Sequence, residues 1–259
     1  MSRKSRKRTA ASKRLPEITV QKKAQAYLEQ YYRIKHGRAP LYSNLEERTK
    51  REYGMKRADG LLAYKRNKKR AYVISMEAKS HKTLPALRPY RVDKLWIQDS
   101  IWKGLLFTIV TGTLFLVWRG EGWAERLLLP LGVWLGATLI HLALFRKSYK
   151  YQEMEVIHQV FQYPANEQWL SLSEDSFDMI DAEVRHNLFK ICKARDIGVL
   201  MVDETQQVSL VHEPGTRRRW APYGYLVYYH NERPIRDFLG IERRKGNDKK
   251  KKKKKRKKS

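Results

Sequence analysis

Cysteine is almost missing from this chain, with Cys192 the single one in 259 residues. A lone thiol excludes an internal disulfide and carries no information about zinc; at an apolar helical position it reads as a small core residue. Residues 1–15 contain no apolar run of the kind a secretory signal needs. Acid is scarce as well, since 27 Asp and Glu face 55 Lys and Arg for a formal net charge of +28. Seven of the first fourteen residues and all ten of Lys249–Lys258 are basic, with no acid in either stretch. The body between these ends is still basic. Such an excess fits a polyanionic partner, either nucleic acid or an anionic membrane surface. Both ends read as disordered, and the terminal lysine tract as low-complexity.

The stretch Lys56–Ser80 (KRADGLLAYKRNKKRAYVISMEAKS) organises the rest. Two apolar, β-favouring runs, Gly60–Tyr64 and Ala71–Ala78, flank the polar turn Arg66–Arg70, the pattern of a β-hairpin. With the turn centred on Lys68, residues whose numbers sum to 136 face each other. Asp59 then lies opposite Glu77, their Cβ atoms about 5 Å apart. The period-2 pleat places Lys79 on the same face, with Tyr72, Ile74, Met76 and Ala78 on the other, core-side face. Two carboxylates at the end of one hairpin suit a hard divalent cation such as Mg²⁺. A neighbouring ammonium suits positioning a water or meeting charge that grows on a phosphate.

Before the hairpin, Val20, Ala24, Leu28, Tyr31 and Ile34 follow helical spacing from Glu17 to about Lys35, and Gly37 and Pro40 close that helix. A second helical piece is expected from Ser43 to Tyr53, ending at Gly54. After the hairpin, residues 81–100 read as a polar linker. Ile101–Trp118 holds one charge, Lys103, and Leu127–Phe145 holds none. Nineteen helical residues would cover about 28 Å, near the thickness of a bilayer core. The two runs are therefore expected to form a transmembrane hairpin over residues 101–145, with Trp102, Trp118 and Trp123 as an aromatic belt. Flanking Lys82, Arg88, Arg91, Lys94, Arg146, Lys147 and Lys150 would keep both termini cytoplasmic. His141 within the second run would bond the facing helix. Gly132-x-x-x-Gly136 would let helices approach closely, within the hairpin or in a homodimer.

Further along, Trp169–Ser173 reads as a short strand and Ser173–Ala194 as helical. Ile197–Val202 has the apolar run of a buried strand, with Val208–His212 as its partner. Arg217, Arg218 and Arg219, followed by Trp220, Tyr223, Tyr225, Tyr228 and Tyr229, mix cations with stacking surfaces. That mixture suits phosphates and unstacked bases, and equally suits a basic strand edge packed with tyrosines.

Asp59 followed by Glu77-Ala78-Lys79 resembles the Asp…Glu-x-Lys core of the PD-(D/E)xK nuclease superfamily, with Ala58 standing where the older pattern has proline. The passage LFKICKARDIGVLMVDE (Leu188–Glu204) is similar to the second helix and following strand of restriction-endonuclease-like domains. The resemblance covers roughly residues 17–80 and 165–215. It implies an α/β fold with an α-β-β-β-α-β core, here interrupted by the expected transmembrane hairpin. The corresponding segments are a basic N-terminus (1–16), a first nuclease-like part (17–80), the linker (81–100), the hairpin (101–145), a second nuclease-like part (146–240) and a Lys-rich tail (241–259). It implies catalytic roles for Asp59, Glu77 and Lys79, and Mg²⁺ or Mn²⁺ held by Asp59, Glu77 and the Ala78 backbone carbonyl. Members often add a carboxylate from the first helix, which here leaves Glu46, Glu47 and Glu52 as equal candidates. The implied function is a metal-dependent nuclease acting on DNA rather than RNA, anchored in a bacterial inner membrane with its tails on anionic lipid. The rivals are a nuclease fold that tethers nucleic acid to the membrane without turnover, and a membrane scaffold.

Overall fold

The structure, a computed structural model, describes residues 14–37, 40–117, 123–146, 148–216 and 224–242. The chain folds as two units, one built from the segments before Arg88 and after Glu155, the other from Arg88–Glu155. In chain order the helices are α1 (Glu17–His36), α2 (Asp93–Val117), α3 (Trp123–Leu144), α4 (Glu155–Phe161), α5 (Glu174–Phe177), α6 (Ala182–Ala194) and α7 (Glu232–Phe238). The strands are β1 (Leu41–Arg48), β2 (Arg57–Asn67), β3 (Arg70–Lys79), β4 (Pro89–Arg91), β5 (Gln152–Met154), β6 (Glu167–Ser173), β7 (Ile197–Val202) and β8 (Val208–His212).

The first unit is built on a mixed sheet in the order β1-β2-β3-β6-β7-β8. β1, β2 and β3 run antiparallel to one another, β3, β6 and β7 run parallel, and β8 closes the edge antiparallel to β7. Central strands β6 and β7 are buried along their whole length, as expected where parallel strands are covered on both faces. One face packs on α1, whose Ala24, Leu28 and Tyr32 meet Leu62, Ile74, Met76, Trp169 and Leu200. The apolar stripe thus runs through Tyr32, and Ile34 is left 77% exposed. The other face carries Leu61, Ala63, Ala71 and Val73 against Tyr225, Leu226, Tyr229, Ile235 and Leu239. Both faces of the hairpin are therefore covered, not only the face of Tyr72, Ile74 and Met76.

From Gly60↔Met76 to Lys65↔Ala71 the β2–β3 pairs sum to 136, and a bulge then tightens the turn to Asn67↔Arg70. The helix expected over Ser43–Tyr53 is instead strand β1 followed by a short 3-10 turn, Arg51–Tyr53. Pairing with β2 satisfies a row of backbone groups that a short exposed helix would leave to water, and this outweighs local propensity. Residues 81–100 also hold structure: a 3-10 segment (His81–Leu87), β4 and the first turns of α2.

In the second unit α2 and α3 pair as a helical hairpin, and β4 pairs with β5. Among the described residues no helix is long and apolar enough to cross a membrane. This corrects the expected transmembrane hairpin, and with it the multi-pass inner-membrane location and the orientation of the termini. The first three turns of α2 carry four charges, Asp93, Lys94, Asp99 and Lys103. Asp99 Oδ2 accepts from Lys103 Nζ at 2.9 Å and Lys150 Nζ at 3.0 Å, and the Tyr151 hydroxyl donates to it too. The charge-free part, Gly104–Val117, falls short of the roughly 20 residues a span requires. α3 contains Pro130 and His141. The His141 ring bonds Ser100 Oγ (2.9 Å) and Lys103 Nζ (3.1 Å) on the facing helix. Close approach of the two helices occurs at Gly104, where a Cβ would strike the Thr138 hydroxyl. A Cβ at Gly132 or Gly136 would meet nothing.

Candidate active site

Strand β3 brings Glu77 and Lys79 to one face and Ala78 to the other. Lys79 Nζ donates to Glu77 Oε1 at 2.6 Å, and each of these two side chains is only 7% exposed. Asp59 reaches them because it lies just beyond the last β2–β3 pair. Pairing with β3 stops at Gly60↔Met76. Pairing with β1 keeps one register on either side of it, Leu45↔Gly60 and Glu47↔Ala58, with Glu46, at a left-handed φ of 58°, across from Asp59. Beyond the β3 ladder, Asp59 is held by other groups. Its Oδ2 accepts the Ala78 N–H at 2.7 Å, and its backbone carbonyl accepts from the buried Gln21 Nε2. Val73 uses its N–H and C=O toward Asn166, on the β6 side. Successive residues of a strand alternate in the edge they address, so the Ala78 carbonyl points with its N–H toward Asp59.

Electrostatics show what this arrangement costs. Burial raises the Asp59 pKa, with the Ala78 N–H and the Lys79 charge pulling the other way. Burial and the Asp59 charge push Glu77 up to about 7, against the pull of Lys79. Glu17, at the start of α1, raises both. Its Oε2 accepts from Thr83 Oγ1 at 3.2 Å, which ties the start of α1 to the segment after β3. Three acids thus face Lys79 and Arg57, an excess of negative charge that an added cation would relieve. Tyr163 is buried over the same face, and its pKa is raised by burial and by the Glu77 and Asp59 charges. Its backbone carbonyl is held by Gln168 Nε2 at 2.8 Å.

The three acids weighed for the first-helix position lie on β1 and the 3-10 turn after it, not on α1. Glu46 is exposed and pairs with Arg57 at 3.4 Å. Glu47 is buried and accepts from Asn44 Nδ2 (2.8 Å) and the Tyr42 hydroxyl (3.2 Å). Glu52 is exposed on the 3-10 turn. Glu17, Gln21 and Tyr163 were not singled out in the sequence. The signal available for the first two was a polar row, Glu17-Gln21-Gln25, at spacing of four beside the apolar stripe of α1. Arg217, Arg218 and Arg219, with Trp220 and Tyr223, lie outside the described residues, as do residues 1–13 and 243–259, while Ile241, at the start of the expected tail, is buried in the core. Tyr225 and Tyr229 are buried in the core, and Tyr228 packs edge-on to Tyr53 at 4.7 Å, so these three serve packing rather than an open stacking surface. Cys192 is buried, and burial pushes its thiol up to about 12.

Asp59, Glu77 and the Ala78 carbonyl form a donor set of hard oxygens. Glu77 Oε2 is buried and makes no hydrogen bond of normal geometry. The Tyr163 hydroxyl is near enough that hydrogen bonding to Glu77 adds to burial in raising its pKa, so Oε2 could turn to a ligand such as Mg²⁺ or Mn²⁺. Among the described residues no three His, Cys, Asp or Glu side chains are grouped closely enough to hold a metal by themselves. A cation here would rest on two carboxylates, a backbone oxygen and ligands from substrate or water. Compared with family models, curated proteins and solved structures, the chain matches none of them.

Proposed function

We propose that the sheet-based unit hydrolyses phosphodiester bonds of nucleic acid, DNA in preference to RNA, with a divalent cation held by Asp59, Glu77 and the Ala78 carbonyl. The observation that carries this reading is the meeting of two carboxylates, an ammonium and an outward-turned carbonyl at the end of β3, where the β2 ladder has stopped. Its support is the order helix, three strands, helix, strand (α1, β1–β3, α4, β6), in which α4 and β6 rather than Leu188–Glu204 (α6 and β7) follow β3, together with the resemblance of Asp59 and Glu77-Ala78-Lys79 to PD-(D/E)xK nucleases. When bound, Mg²⁺ or Mn²⁺ would supply Lewis-acid polarisation of the phosphate and a more acidic water. The chain's own groups do the rest. Lys79, already at 2.6 Å from Glu77, orients the attacking water and stabilises the phosphate oxygens as charge builds on them. Gln21 and the Ala78 N–H hold Asp59 in place, and Tyr163 keeps bulk water off the Glu77 side.

A second reading, nucleic-acid binding without turnover, is favoured by one observation: Glu77 and Lys79 are nearly closed to solvent and engaged with each other. A cleavage assay separates the two. Purified full-length protein is given plasmid and single-stranded DNA with Mg²⁺ or Mn²⁺, beside Asp59→Ala and Lys79→Ala. Turnover requires metal-dependent cutting that each substitution lowers by a factor of ~10² or more. Cutting that survives both substitutions belongs to a contaminant and sinks the reading. Salt-sensitive binding without cutting selects the second one.

A further inference from the structure

The turn that joins β1 to β2 is more firmly built than a connection requires. Thr49 N–H donates to the Lys56 carbonyl at 2.8 Å, and Lys50 N–H donates to the Tyr228 carbonyl at 2.8 Å. His230 N–H donates to the Arg48 carbonyl at 2.9 Å, and Thr49 bridges Tyr229. Lys50 Nζ pairs with Glu232 at 2.7 Å. The base of the turn is thus pinned to the segment that leads into α7.

Its outer part is left open. All seven residues of Arg51–Arg57 are exposed, including Tyr53 at 44% and Met55 at 50%. Gly54 and Met55 both take left-handed backbone, with φ of 84° and 51°. Methionine gains nothing local from that conformation, and strain of this kind gathers where function holds it. The charge is one-sided: Arg51, Lys56 and Arg57 against Glu52. Among the described residues neither Arg51 nor Lys56 has a carboxylate partner. The turn also leads straight into the site, because Arg57 precedes Asp59 by two strand residues, about 7 Å.

Resting on the phosphodiester reading, we infer that the 49–57 turn is the docking surface for the substrate's phosphodiester backbone beside the scissile bond. Arg51 and Lys56 meet phosphates, and Tyr53 and Met55 lie against sugar or base. The positive charge selects a polyanion, and the pinned base lets the turn bind without first being ordered.

The test measures binding of a labelled 20-nucleotide single strand and its duplex, in EDTA, from 50 to 200 mM salt. Full-length wild type is compared with Arg51→Ala/Lys56→Ala and with a control pair on exposed α1 positions, Lys22→Ala/Lys23→Ala. Loss of two phosphate contacts lowers the slope of log K against log salt by about 1.8 on duplex or about 1.4 on single strand. In Mn²⁺ the turn variant raises KM and leaves kcat unchanged, and the control pair does neither. Unchanged slope in the turn variant, or an equal change in the control, overturns the docking surface while leaving the nuclease reading intact. Wild type that neither binds nor cuts overturns both.

Discussion

Asp59 lies beyond the last β2–β3 pair, so toward β3 its position depends on single hydrogen bonds. The Gln21 amide is 4% exposed and donates to the Asp59 carbonyl. Gln21→Leu leaves that carbonyl without its donor. The expected loss of folding stability is about 1–3 kcal/mol, read from urea denaturation, and the Mn²⁺ concentration for half-maximal binding should rise with it. An unchanged Mn²⁺ requirement would show that Gln21 is structural only. Gly60 is constrained by the same contact between α1 and β2. A Cβ there would run into Gln25 Oε1 and come within 2.8 Å of Met76 Cε. Gly60→Ala should therefore cost about 1–3 kcal/mol through overpacking, measured as a lower urea midpoint with unchanged m-value. Both residues lie where the chain could not be judged locally. The importance of Gln21 shows only once α1 is packed against the start of β2.

At the scale of elements, α7 and the β1–β2 turn are tied through Glu232. Lys50 (2.7 Å) and Arg236 (3.0 Å) both reach its carboxylate. Burial acts to raise the Glu232 pKa, but the bonds and charges of these two cations outweigh it and hold it below the usual carboxylate range. A depressed folded pKa adds stability that is present above the unfolded value, near 4.5, and disappears as pH falls through the folded value. Wild type should therefore be more stable than Glu232→Gln at pH 7, with the gap closing as the solution is acidified below about pH 4.5. Thermal melts across pH 3–7 check this, and a gap that persists at pH 3 would refute it. Elements were unevenly legible. The hairpin register followed from turn chemistry and alternation, both short-range. The stretch after Ser43 carries strand or helix equally well by itself, and pairing with β2 decides for strand.

For the molecule as a whole, the proposed cation site predicts that metal stabilises the fold. Saturating Mn²⁺ at a hundred times its Kd should raise folding stability by about 2.7 kcal/mol, seen as a higher Tm that EDTA reverses. Asp59→Asn should abolish that rise. A rise of equal size in the variant would place the ion elsewhere, for instance at exposed acids. The strong positive charge, by contrast, was legible from composition alone, and it bears on partners rather than on the fold.

Local pattern in the chain was enough to set the β2–β3 hairpin and its register, the helix after Pro16, the buried strands at Trp169 and Ile197, and the shared face of Asp59, Glu77 and Lys79. Each of these depends on turn residues or on a period of 2 or 3.6, which neighbours in sequence display. Tertiary structure decided the rest. It made β1 a strand, brought the charge of Glu17 on α1 to bear on Asp59 and Glu77, and covered both faces of the hairpin. It also joined α2 and α3 through a polar Asp99–Lys103–His141 cluster, in helices not apolar and long enough to span a bilayer. These outcomes depend on which distant segments share a surface, and that is settled by burial and pairing summed over the fold rather than by any one stretch.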